Sequence, residues 1–169
     1  MKKVVFLLSF LLWGTSINAQ ETNDQYAKDV SSVDAIISAY YDVFSGASTD
    51  PWQFKRDKFL HSKNAIITSF TKNGTAIQQS LEAVYVPLLS NPREDFFEVE
   101  LHRITEQYGN MAHVWSTFEV RSKPNEPSKV RGLNSVSLYY SEGRWYIGNW
   151  TTQNETDKPI PNKYLPNRP

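Results

Sequence analysis

The stretch RGLNSVSLYYSEGRWYIGNWTT, residues 131–152, decides the architecture. Asn134, Val136 and Leu138 alternate with Leu133, Ser135 and Ser137, and Trp145, Ile147 and Asn149 alternate with Tyr146, Gly148 and Trp150. A period of two places each set on its own face of a strand. Ser141-Glu142-Gly143 between them is a tight turn, with Gly143 suited to positive φ. The stretch therefore reads as a hairpin of two long strands, Arg131–Tyr140 and Arg144–Thr152.

The same alternation continues upstream. Met111–Ser122 reads as a long strand entered through the turn Tyr108-Gly109-Asn110, and the proline-bearing loop Lys123–Lys129 follows it. Phe97, Val99 and Leu101 alternate with Glu98, Glu100 and His102, which predicts a strand with its charged face in water.

The first half has a different period. Val33, Ile36, Ile37, Tyr40, Tyr41 and Phe44 follow the stripe of an amphipathic helix, with Ser31 or Ser32 as cap and Gly46 as stop. Asp50-Pro51 predicts the start of a second short helix ending near Phe59-Leu60. Ala65–Phe70 reads as a strand and Asn73-Gly74 as a turn into another short one. Ser80–Leu89 reads as a third helix, bent or ended by Pro87. Helices followed by an antiparallel meander predict an α+β fold, a strongly bent sheet closed into a cone by three helices, with its mouth as the natural ligand site.

The ends carry other information. Lys2-Lys3, the ten-residue apolar run Val4–Trp13 and small residues up to Ala19 have the three parts of a secretion signal. The run is half of what a membrane-spanning helix needs, roughly 20 residues. Cleavage after Ala19 leaves a polar, flexible leader 20–28, a domain 29–152 and an extended tail 153–169 that holds four of the nine prolines. With no cysteine, neither a lipid at the cut nor a disulfide is available, so the expected setting is a free protein of the bacterial periplasm or exterior. The mature chain would carry a net charge near −2 and no basic block, which argues against nucleic acid as partner, and no membrane contact is expected once the signal is removed.

The helix Val33–Tyr41, the segment Phe59-Leu60-His61 with Asn64-Ala65, the strand Ala112–Glu119, Gly132–Leu138 and Gly143–Ile147 together resemble the nuclear transport factor 2-like (NTF2-like) superfamily, in particular its secreted bacterial SnoaL-like branch. The resemblance covers roughly 29–152. It implies a cone with a pocket, and in members that move protons, a carboxylate or histidine base joined to a tyrosine or acid. The acid that such members place before the first strand is missing, because the matching stretch reads His61-Ser62-Lys63-Asn64-Ala65.

Candidate catalytic residues are His61 as base, Glu119 as base and Tyr41 as acid; candidate ligand-binding residues are Tyr40, Trp115, Asn134, Trp145 and Asn149. If the Trp115 face meets the helices, Glu119 becomes a partly buried acid, and if it looks outward, Glu119 and Arg121 are solvated charges. The scattered histidines His61, His102 and His113 make no metal motif. Three readings follow. The first is an exported protein with a hydrophobic pocket that binds a small apolar ligand without strong catalysis. The second is a cofactor-free cyclase, isomerase or dehydratase acting by acid–base chemistry in that pocket. The third is an interaction module that forms a homodimer through the sheet, with Tyr146 and Trp150 outward.

Overall fold

The computed structural model describes residues 25–167, so the expected signal segment 1–19 and the first part of the leader lie outside the described residues. Three α-helices, α1 (Val33–Phe44), α2 (Phe54–Leu60) and α3 (Leu81–Ser90), accompany six strands. These are β1 (His61–Phe70), β2 (Ala76–Ser80), β3 (Phe97–Tyr108), β4 (Met111–Arg121), β5 (Val130–Ser141) and β6 (Arg144–Asn154). They form one curled sheet in the order β2-β1-β6-β5-β4-β3, in which β1 and β6 run parallel and every other pair is antiparallel. The α+β cone is as expected, apart from that one parallel pair.

Local chemistry explains most of the elements. Ser32 caps α1, its hydroxyl accepting from the Ala35 N–H at 3.0 Å, and Ser80 caps α3 in the same way. The second helix starts later than Asp50-Pro51 predicts. Asp50 instead accepts from the Ala47 N–H at 2.8 Å within its own loop, so it is unavailable as a cap for Phe54. The leader is ordered where it is described. A 3₁₀ turn, Ala27–Val30, buries Val30 against α1, and Arg56 ties Asp29 to Asp42.

The apolar stripe of α1 packs on the concave face of the sheet. Ile36, Ile37, Tyr40 and Tyr41 meet Ala112, Val114 and Phe118 of β4, Val136 and Leu138 of β5, and Trp145 and Ile147 of β6. Two bulges decide which residues share this face. On β3 the register shifts between Glu100 and His102. On β6 it shifts at Gly148, so that Ile147 pairs with Leu138 but Asn149 pairs with Ser137. One inserted residue inverts the alternation beyond it.

Gly132 shows how tightly the concave face is packed. A Cβ there would overlap the Phe118 ring and lie 2.9 Å from the Gln153 carbonyl oxygen. Gly132→Ala is expected to cost about 1–3 kcal/mol through overpacking, read as a lowered thermal midpoint. An unchanged midpoint would show that Phe118 can move aside freely.

Candidate functional site

The C-terminal end of α1 is stitched to the start of β3. The Ser45 hydroxyl donates to the Glu98 carbonyl and accepts from the Glu98 N–H, both at 3.0 Å. Gly46 and Phe96 exchange two main-chain hydrogen bonds at 2.7 and 3.0 Å. The close approach needs glycine, because Gly46 has φ +153° and a Cβ would meet the Arg93 guanidinium at 2.6 Å. Arg93 completes the joint by donating to the carbonyls of Phe44, Asp50 and Pro51.

This joint fixes Glu98. In the β3–β4 register Glu98 lies opposite Val120 and Glu100 opposite Phe118, and directly paired residues share a face. Phe118 belongs to the core, so both glutamates point into the cone. The expectation of a wet charged face is therefore reversed. The reason lies in the tail, whose 3₁₀ turn Asn162–Tyr164 packs on the outer face of β3 and β4.

A recess of about 300 Å³ opens at the mouth, walled by Tyr40, Phe96, Phe118, Val120 and Trp150, with Glu98 among them. Burial pushes the Glu98 carboxyl up to about 7, while the Asn134 side chain pulls it the other way. Tyr40 and Tyr41 are driven well above the usual phenol range by burial first and by the Glu98 charge second, so both keep their protons. The Tyr40 ring stands edge-on to Trp150 at 5.5 Å, and the buried Trp150 indole N–H has no acceptor among the described residues.

Behind the recess runs a relay of polar groups with a definite direction. Asn134 donates to the Tyr41 hydroxyl at 3.1 Å, Tyr41 bonds Ser116 at 2.7 Å, and Ser116 donates to Glu100. Since Ser116 gives its proton to Glu100, Tyr41 must donate to Ser116. Glu100 pairs with Arg103, which reaches Asp34 on α1 at 2.8 Å. The Asn134 carbonyl oxygen is buried and unpartnered among the described residues.

A second buried cluster joins α2, α3 and β1. His61 Nδ1 lies 2.9 Å from the Asp57 carbonyl and 3.2 Å from its carboxylate. Both are acceptors, so Nδ1 carries a proton, and Nε2 is without a partner among the described residues. Tyr85 donates to Asp57 at 2.6 Å, and burial together with that carboxylate raises its pKa.

The residues singled out from sequence are thus divided. Tyr40, Tyr41 and Asn134 come together at the concave face, and Trp145 is core beside Tyr140. His61 is buried at the start of β1 and touches the edge of Tyr40 with ring centres 6.3 Å apart. Trp115 and Glu119 occupy the outer face: Trp115 packs on Tyr164 and His113, and Glu119 pairs with Arg121 at 2.9 Å. Asn149 is exposed on that same face because the Gly148 bulge turns it out and turns Trp150 in. Sequence reasoning misses Glu98 and Asp57. The available signals are a pair of acids two apart on a strand, and an Asp–His spacing of four across a helix end.

No family model matches the chain, and no curated protein matches it by sequence. Its shape does match solved structures. An NTF2-like protein of unknown function from Shewanella baltica aligns with TM-score 0.52 and 11% identity, covering 85% of this chain and 99% of that one. A protein with a cystatin-like fold from Nostoc punctiforme gives 0.55 and 11%, covering 86% and 96%. A ketosteroid isomerase-like protein from Shewanella frigidimarina gives 0.50 and 11%, covering 70% and 91%. The chain has the NTF2-like fold.

Proposed function

We propose that this is an exported protein of the secreted SnoaL-like kind whose concave recess binds a small, largely apolar molecule with one polar group. The observation that carries the reading is Glu98, a carboxyl held near neutrality inside a wall of aromatic and aliphatic side chains. Such a group engages a ligand hydroxyl or carbonyl according to its own protonation. Tyr40, protonated, offers a hydroxyl donor on the same wall. The Asn134–Tyr41–Ser116–Glu100 relay stiffens the floor behind them.

A second reading is favoured by the same carboxyl. A base with a pKa near the working pH is what cofactor-free proton abstraction next to a carbonyl requires, with isomerase or lyase outcomes. The ketosteroid isomerase-like neighbour is compatible with it, as a matter of fold. Glu98 then takes the proton and Tyr40 supports the developing oxyanion.

Tryptophan emission titrated with small cyclic ketones and phenols tests the shared premise. Saturable change is expected in the parent chain and loss of it in Trp150→Phe, which removes the reporter. In Val120→Trp, which fills the recess, binding should weaken by about tenfold or more. Equal binding by the filled variant would contradict the assignment of this recess.

A further inference from the structure

The tail crosses the outer face of the sheet without joining it. From Thr156 to Pro166 its one hydrogen bond to the sheet among the described residues runs from the Thr117 hydroxyl to the Tyr164 carbonyl. It is held at three points instead. Glu155 pairs with Arg131 at 2.7 Å, its N–H donates to the Arg131 carbonyl at 2.7 Å, and its carboxylate accepts the Ile160 N–H at 2.9 Å. Ile160 is 8% exposed. Tyr164 lies on Trp115 with ring centres 5.1 Å apart.

Between these anchors the fit is loose. A recess of about 510 Å³ remains between tail residues 153–161, Leu133 and the β1–β2 turn. Pro159, Pro161 and Pro166 restrict the backbone of the segment, which bends back where Glu155 accepts the Ile160 N–H and turns at Asn162–Tyr164, so little order is lost when it seats. Three side-chain anchors on a proline-spaced chain that makes no ladder with the sheet are how a peptide ligand is read, and not how a sheet strand is held. A tethered ligand of this kind sits at a local concentration in the millimolar range, which lets individually weak contacts keep it in place.

We propose that the outer face of β3–β6 is a peptide-binding surface for a proline-spaced segment that turns on itself, bearing an acid, an aliphatic residue five positions on and an aromatic four further, and that residues 155–164 are its resident, displaceable occupant. The outer face that suggested sheet-to-sheet pairing is thus already occupied in part. Arg131 takes the acid, the surface around Leu133 takes the aliphatic residue, and Trp115 with Thr117 takes the aromatic residue and its carbonyl.

The test uses the full mature chain and a fluorescein-labelled synthetic peptide of residues 155–167, read by anisotropy. The Tyr164→Ala chain, its own tail weakened, is expected to bind the peptide saturably and roughly a hundredfold more tightly than the parent does. A peptide with its tyrosine replaced by alanine should lose that binding, as should the Trp115→Ala/Tyr164→Ala chain. Absence of saturable binding to Tyr164→Ala, with circular dichroism unchanged, overturns the proposal, and so does equal binding of the alanine peptide. If Tyr164→Ala does not fold, amide exchange on the parent chain decides. Exchange at Ile160 and Tyr164 far faster than in β4 is expected; exchange as slow as in β4 refutes a displaceable tail.

Discussion

Asp57→Ala is expected to lower the unfolding free energy by about 3–5 kcal/mol. The carboxylate is 1% exposed; its Oδ2 accepts from the Tyr85 hydroxyl and its Oδ1 lies 3.2 Å from His61 Nδ1. Removing it leaves a phenol without an acceptor and an imidazole held only by the main-chain carbonyl of residue 57. The buried phenol then pays its desolvation penalty, while the imidazole keeps its main-chain partner. The loss also weakens the seating of α3, because Tyr85 is the side chain by which that helix is hydrogen-bonded to α2. Thermal unfolding should show a fall on the order of 10 °C for a chain of this size. Asp57→Asn, which keeps an acceptor for Tyr85, should lose distinctly less. A midpoint for Asp57→Ala within a degree or two of the parent would mean that the cluster contributes little.

Glu98→Gln should act in the opposite direction, with a gain that is absent at acid pH and grows as pH rises from about 4.5 to about 7. The folded pKa of Glu98, about 7, lies above the ordinary glutamate value of 4.5. The folded state therefore holds this proton more tightly than the unfolded one. The stability tied to it is complete below the unfolded value and is lost as pH rises through the folded one. At pH 8 the parent carries an unfavourable charge in the recess and the amide does not. Each tenfold change in proton affinity corresponds to about 1.4 kcal/mol, and because the mouth opens to solvent the expected gain for Glu98→Gln is nearer 1–3 kcal/mol. At pH 4 the two proteins should unfold alike. The same substitution should remove the pH dependence of ligand binding near neutrality, and if the recess catalyses proton transfer, about 10²–10⁴-fold of the rate. Stability gained where function is lost is the usual signature of a site residue.

The helices and the β4–β5–β6 meander are legible in the sequence because their signals are local. The stripe from Val33 to Phe44, Ser32 before it, and the turn at Glu142-Gly143 each dictate backbone geometry within a few residues. Which strand face turns inward is not legible, since this depends on parts of the chain far away. On β3 the alternation of Phe97, Val99 and Leu101 with Glu98 and Glu100 is plain, but nothing within the strand orients it. The tail shelters the outer face, and the Ser45 and Gly46 joint turns the glutamates in. On β6 a single extra residue at Gly148 exchanges the places of Asn149 and Trp150. The joining of Asp57 to Tyr85 links positions 28 apart and has no local signature.

Carbon-detected NMR titration of the glutamate side chains reads the central feature, a neutral-range acid in the recess, without a ligand or an assay. One glutamate carboxyl should titrate with a midpoint near 7, and its signal should be missing from Glu98→Gln. If every glutamate in the folded protein titrates below about pH 5, Glu98 is an ordinary carboxylate. The concave recess would then lose its claim to be the functional site.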